Sequence, residues 1–368
     1  MPDGMDKEIV DLLREMVDKR ASDLHLTSGV PPTFRVDGRL LPGDHERLTP
    51  EATRRLSFAM LDERRTERFE SEKGLDTSFS IEDLGRFRLN VFYQRGSVAS
   101  AIRHLPWTVP SMEALGVPAV MREFCEKLHG LVLVSGPTGS GKSTTLASMI
   151  DYINATKNVH ILSVEDPIEY LHKHKLSIVN QRELDRDTVS FADAVRQVLR
   201  QDPDVISIGE IRDLDTVRTA LTLAETGHLV LTTVHTSEAP QAISRIVDIF
   251  PSHEQSGVRT QLSLCLEGVL VQQLLPDASG TGRKLATEMM VATPAVRNLI
   301  RENNLQQLRS AIETGAKEGM HSLNASLLSL VHGGNITSEM ALMNSNDVKG
   351  MMRELSRSDC RGAAGARA

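Results

Sequence analysis

The octapeptide Gly136-Pro137-Thr138-Gly139-Ser140-Gly141-Lys142-Ser143 restricts the fold of this chain more than any other feature. It matches G-x-x-x-x-G-K-[ST] and lies between an apolar run at 131–134 and a helical pattern at 142–153. Glycines at 136, 139 and 141 let backbone N–H groups converge on phosphate oxygens without a Cβ in the way. The helix that follows adds its positive dipole end. Such a loop needs a strand behind it and a helix in front, so it commits the surrounding chain to an α/β sheet. Lys142 is expected to reach the β- and γ-phosphates of ATP and Ser143 to ligate Mg²⁺, with Thr144 closing the nucleotide-binding stretch.

The flanking sequence has the rhythm that such a sheet requires. Strands are expected at 159–164, 205–208 and 229–233, with helices between them, which indicates a parallel, doubly wound sheet. The chain ends in helical patterns at 293–302, 305–314, 322–332, 338–343 and 347–355. Residues 356–368 (SRSDCRGAAGARA) lack periodicity and are expected to form a frayed, disordered tail.

Ahead of the loop the pattern is different. Ile9, Leu12, Leu13, Met16 and Val17 mark one amphipathic helix. Short strand-like runs follow at 23–27, 33–41, 76–82, 86–94 and 98–105, with turn signals such as Asp37-Gly38. A helix is expected from Thr49 as N-cap with Pro50 at its first position. This order predicts an α+β domain over 1–105. A Pro-rich linker follows at 106–118, then an ATPase domain with C-terminal helices over 119–355. Trp107, the only tryptophan, reads as an apolar plug between domains or as a ligand contact.

Charge and cysteine usage narrow the function classes. With 42 basic against 49 acidic residues the net charge is −7, and there are only nine Phe, three Tyr and one Trp. A nucleic-acid motor would more often be basic and carry stacking aromatics, so that reading falls behind. Cys125, Cys265 and Cys360 form no CxxC pair, so neither a disulfide framework nor a tetracysteine zinc site is available. The N-terminus carries acids where a signal peptide needs bases, and no uncharged apolar run reaches about 18 residues. A cytoplasmic protein, peripheral at most to a membrane, is expected.

Three more segments carry candidate chemistry. Asp204-Val-Ile-Ser-Ile-Gly-Glu210 is a buried-strand pattern ending in a carboxylate, and it is expected beside the phosphate-loop strand. Glu210 can orient and deprotonate a water for attack on the γ-phosphate. Ile161-Leu-Ser-Val-Glu165-Asp166-Pro-Ile-Glu169 delivers acids at a strand end, where open α/β sheets bind ligands. Glu165 or Asp166 can hold Mg²⁺ or its waters; Glu169 is either part of this set or a surface acid. His228 and His235 frame another strand. Their spacing does not suit metal chelation; they are structural, or they sense phosphate.

Taken together, GPTGSGKST, SVEDPIEY, IGEIRD and ETGHLVLTTVHT, in this order, resemble the Walker A, Asp-box, Walker B and His-box segments of secretion-superfamily ATPases. Within that superfamily the chain resembles the type IV pilus retraction ATPases over nearly its whole length. ASDLHLTSGVPPTFRVDGRL resembles their PAS-like N-terminal domain, and Ala295–Ile300 (AVRNLI) resembles a C-terminal motif tied to retraction. The resemblance implies a RecA-like ATPase domain and a homohexameric ring at the cytoplasmic face of the inner membrane. It implies ATP-driven pilin removal through a membrane platform protein. It also implies Glu210 as catalytic base, Glu165, Asp166 and Glu169 as the Asp-box, and His228 and His235 as readers of the nucleotide state. One departure is the acid at Glu238, where the family pattern has a small or amide residue.

Extension and secretion ATPases share the four boxes but usually carry a tetracysteine zinc loop and extra N-terminal domains, so retraction is favoured. An accessory retraction paralogue stays open. In 86–94, alternation puts Phe87, Leu89, Val91 and Tyr93 on one face and Arg86, Arg88 and Asn90 on the other. By pattern alone those arginines are a solvated surface. The resemblance implies instead that Arg86, Arg88 and Arg95 close over the nucleotide.

Overall fold

The computed structural model describes residues 6–36, 38–105, 108–184, 186–211, 213–280 and 282–365, with side chains through 357. Trp107 lies outside the described residues. Two compact units result: Met1–Thr108 together with Pro167–Leu171, and Val109–Asp166 together with His172–Ala368.

The first unit is built on an antiparallel sheet of β1 (Asp23–Leu26), β2 (Thr33–Val36), β3 (Arg39–Pro42), β4 (Gly74–Ile81), β5 (Gly85–Gln94) and β6 (Ser97–Leu105). Its strand order is β3-β2-β1-β6-β5-β4. The expected single run over 33–41 is two paired strands, because Gly38, at φ +81°, turns the chain back on itself. Helix Lys7–Asp18 buries Ile9, Leu12, Leu13 and Met16, the face its spacing predicts. Helix Pro50–Phe58 starts at Thr49, whose side chain accepts from the Ala52 N–H, with Pro50 in the first turn. Phe87, Leu89 and Val91 are buried as their alternation requires. Arg86, which alternation alone would put on a solvated face, is also buried, at 5% exposure.

The second unit holds β7 (Gly130–Ser135), β8 (His160–Glu165), β9 (Ile178–Glu183), β10 (Val205–Ile208), β11 (Leu229–Val234), β12 (Leu266–Pro276) and β13 (Arg283–Val291). Their order is β13-β12-β7-β11-β10-β8-β9, and only the β12–β13 pairing is antiparallel. Alternate residues of β7 feed two cores. Leu131 and Leu133 pack with residues of helices Leu214–Glu225 and Ala239–Asp248, whereas Val132 and Val134 pack with Leu146, Met149 and Ile150 of helix Lys142–Thr156. Both faces of β7 are therefore covered, as a parallel sheet demands.

Two expectations need correction here. β10 does not lie beside β7: β11 is inserted between them, pairing Val234 with Ser135 on one side and Thr232 with Ile208 on the other. Over 356–365 the stretch expected as a tail instead continues helix Val348–Gly365.

Candidate active site

Strands β7, β11, β10 and β8 run parallel and in register, so their C-terminal ends share one edge. At that edge Ser135 leads into the glycine loop, Val234 into His235, Ile208 into Gly209-Glu210, and β8 ends on Glu165. Open parallel sheets bind ligands at this edge.

Gly136, Gly139 and Gly141 all have positive φ, +141°, +80° and +90°. A Cβ on Gly136 would lie 2.3 Å from the Gln272 carbonyl oxygen and 2.6 Å from Ser140 Oγ. The loop is thus folded tightly against β12, and only glycine fits its first position. Pro137, Thr138 and Ser143 are exposed, Thr144 is half-buried, and Ser140 and Lys142 are buried. Ser140 Oγ is buried and finds no hydrogen-bond partner among the described residues, a polar atom left over beside the loop.

Lys142 Nζ donates to the Gly136 and Pro137 carbonyls at 2.8 and 3.0 Å and lies 3.3 Å from His235 Nδ1. His235 Nε2 in turn lies 3.1 Å from Glu210 Oε1. A lysine is donor only, so Nδ1 accepts and Nε2–H donates to the carboxylate. The strand order β7-β11-β10 is the physical origin of this chain, since β11 sets His235 between the lysine and the acid. Lys142, His235 and Glu210, all singled out in the sequence, are brought together.

His228 is not part of it. It precedes the first residue of β11, its Nδ1 lies 3.1 Å from the Leu223 carbonyl, and its own carbonyl accepts from Gly130 N–H. Seven residues of extended chain separate it from His235, roughly 20 Å. Within this unit it serves as a strand-end tether. Glu165 accepts from Ser163 Oγ at 2.6 Å and from Gln181 Nε2 at 3.1 Å. Asp166 beside it is exposed, and Glu169 falls in the first unit. Arg86, Arg88 and Arg95 also belong to the first unit: Arg88 holds Asp76, and Arg95 is exposed in the turn between β5 and β6.

Sequence reasoning missed four supporting residues. Ser135 Oγ donates to the Thr236 carbonyl at 2.7 Å and accepts from its N–H at 3.1 Å, tying the His235 segment to the base of the phosphate loop. Ser163 and Gln181 position Glu165. Ser163 was findable, because it stands two residues before Glu165 on the same strand face.

A phosphate loop whose lysine is linked through one histidine to a carboxylate at a parallel-sheet edge defines the class, a P-loop nucleoside triphosphatase. The chain belongs to the type II/IV secretion system protein family, which matches residues 4–343. It is 46% identical over 334 residues to the Pseudomonas aeruginosa protein named "Type IV pilus retractation ATPase PilT", covering 91% of this chain and 97% of that protein. It is 40% identical over 355 residues to "Type IV pilus ATPase PilU" of the same organism, covering 96% and 93%. A crystal structure of the pilus retraction motor PilT with bound ADP superimposes with a TM-score of 0.88 at 51% identity, covering 94% of this chain and 99% of that one. The protein is accordingly a P-loop ATPase.

Lys142→Ala is expected to weaken ATP and ADP binding by at least tenfold, because the one buried ammonium of the loop is lost. Titration with a fluorescent ADP analogue measures this. Parental affinity would contradict the role given to the loop.

Proposed function

We propose that the protein is the ATP-driven motor of type IV pilus retraction, removing pilin subunits and thereby powering twitching motility. Its near end-to-end match to a protein named as a pilus retraction ATPase is the observation that carries this reading. In the same reading the first unit is a PAS-like domain over 1–105, joined by a linker at 106–118 to a RecA-like ATPase domain over 119–355. The working form is a homohexamer at the cytoplasmic face of the inner membrane. It acts on pilin indirectly, through a platform protein, and needs no nucleic acid. Among the described residues no helix is long and apolar enough to cross a membrane, so attachment would run through that partner.

ATP is held by the loop from Gly136 to Thr144. The unpaired buried Ser140 Oγ and the glycine-lined bend at Gly136 fit a ligand that brings hydrogen-bonding oxygens. Ser143, Glu165 and Asp166 are the residues that would hold Mg²⁺, directly or through water. The metal would neutralise phosphate charge. Glu210 accepts the proton of the attacking water, and His235 fixes the direction of its carboxylate. Lys142 exchanges its bonds with the Gly136 and Pro137 carbonyls for bonds with phosphate.

Deleting the gene and counting surface pili tests the reading. Excess, non-retracting pili support it; bald cells point to extension. The similarity to PilU favours a second reading, an accessory retraction ATPase. In that case the purified chain hydrolyses ATP, yet its expression fails to restore retraction to cells lacking every other retraction ATPase.

No stoichiometric zinc is expected in the purified protein, and elemental analysis checks this. Cys125 and Cys265 are both buried, and burial pushes their thiols up to about 12; they are far apart in sequence and form no CxxC pair that could begin a tetrathiolate site. Burial likewise pushes the His172 imidazole down to about 4, and His174 Nδ1 accepts from the Val179 N–H. One tightly held zinc per chain would return the chain to the extension ATPases.

A further inference from the structure

His235 is followed by Thr236-Ser237-Glu238, and Glu238 is an acid at 7% exposure. A buried carboxylate is stable only when paired. Its Oε2 accepts from Arg309 NH2 at 2.5 Å, an arginine on helix Leu308–Thr314 whose side chain is 63% exposed. Three residues from His235, the chain is therefore tied to the C-terminal helical region by a charge pair, next to the apolar packing of Ala239 and Ala242 with Leu308 and Ile312. The rest of the segment transmits that anchorage. The Glu238 carbonyl accepts from Thr236 Oγ1 at 3.2 Å, and Thr236 is bonded in both directions to Ser135, the residue before the phosphate loop.

A second buried acid lies in the same place. Glu288 of β13, at 4% exposure, accepts from the Ala239 N–H at 2.7 Å and so caps the helix that begins directly after Glu238. Burial, with the neighbouring Glu238 adding to it, pushes the Glu288 carboxyl above its ordinary range. Arg309 is the side chain that pairs with Glu238 and holds it in place beside this second acid.

We infer that Glu238 and Arg309 are positioning residues for ATP hydrolysis: their ion pair is a strut through which the C-terminal helices set where His235 stands between Lys142 and Glu210. The strut touches neither nucleotide nor the reacting atoms. It acts through the backbone of 235–238 and through Ser135. Movement of the helix bearing Arg309 would shift the histidine, and turnover would so answer to whatever the C-terminal region grips. The inference rests on His235 acting with Glu210.

Steady-state ATPase kinetics, ADP titration and thermal unfolding of the full chain test it. Arg309→Ala leaves Glu238 buried and unpaired. It is expected to lower kcat by about 3- to 30-fold, the size of measured coupling effects, with ADP affinity and cooperative unfolding preserved. Arg309→Lys keeps the charge and is expected to stay within about threefold of the parent. Adding Glu238→Gln to Arg309→Ala removes the stranded charge and is expected to recover most of the lost kcat. A parental kcat in folded Arg309→Ala overturns the strut. So does a loss of ADP affinity equal to the loss of kcat, or a double variant no better than the single one. His235→Ala separates the two levels. If it turns over ATP like the parent, the role of His235 is wrong; if it is impaired while Arg309→Ala is not, only the strut is.

Discussion

Glu210→Gln is expected to bind ATP as the parent does and to hydrolyse it about 10²–10⁴-fold more slowly. The amide keeps the length and shape of the side chain and can still accept from His235 Nε2, now 3.1 Å from Oε1. What it loses is the capacity to take a proton from water. Binding is carried elsewhere, by the loop whose lysine sits 8% exposed among the Gly136 and Pro137 carbonyls. His235 lies between the two, 3.3 Å from Lys142 Nζ and 3.1 Å from Glu210 Oε1, so binding and hydrolysis rest on different side chains and are expected to separate by mutation. Single-turnover hydrolysis and ADP titration on the same preparation give both quantities. Equal turnover in variant and parent would remove Glu210 from the role of base. A parallel loss of affinity would show that the carboxylate supports the loop instead of the reaction. The expectation is for kcat to fall with little movement in binding, the signature of a group that acts in the transition state.

What the sequence discloses here depends on whether local pattern or distant pairing makes the decision. The phosphate loop announces itself because glycine at 136, 139 and 141 is a local requirement of the backbone. The helix from Thr49 does so because cap and proline are local signals. By contrast β13 reads RKLATEMMV, rich in Leu, Ala, Glu and Met, residues that favour helices. It is a strand because it pairs along its whole length with β12, a neighbour that no window of sequence reveals. The edge strand β9, IVNQRE, is equally illegible in the sequence, since half-exposed polar residues give it little apolar alternation. The same limit applies to the site. Lys142 and Glu210 are legible as motif residues. That His235 bridges them, while His228 stands at the other end of the same strand, follows from strand order alone. Alternation assigned Arg86 to a solvated face, yet its guanidinium is buried against Ser78 and the Ile168 carbonyl, a segment 82 residues away in sequence. Glu238 shows the converse. The sequence marked it as unusual, and only the fold supplies Arg309 as the reason it is tolerated.

The arginines of β5 give the largest expected effect, and the structure separates them. Arg86 donates from Nε to the Ile168 carbonyl at 2.7 Å and from NH2 to Ser78 Oγ at 2.6 Å, at 5% exposure. Arg86→Ala removes both of these buried, charge-assisted hydrogen bonds, so its expected effect is a loss of about 2–4 kcal/mol of stability, read from urea unfolding. Arg88 is different. Its Nε lies 3.1 and 3.2 Å from the two Asp76 oxygens, and both side chains are about one-third exposed, at 34% and 39%. Exposed pairs of this kind contribute little to stability, about 0–1 kcal/mol, so the Asp76 pair holds Arg88 in a defined geometry at small cost to the fold if it is lost. The resemblance to the retraction ATPases implies that it meets the nucleotide, where an arginine that neutralises transition-state charge accounts for about 10³–10⁵ in rate. Arg88→Ala is therefore expected to fold normally, keep its ADP affinity and lose kcat by about that factor. Asp76→Asn supplies the control. If Asp76 only steadies a catalytic arginine, its loss leaves kcat within about tenfold of the parent, because Arg88 keeps its charge and reach. If the pair is merely part of the surface, neither variant moves kcat, and Arg88 has no part in hydrolysis.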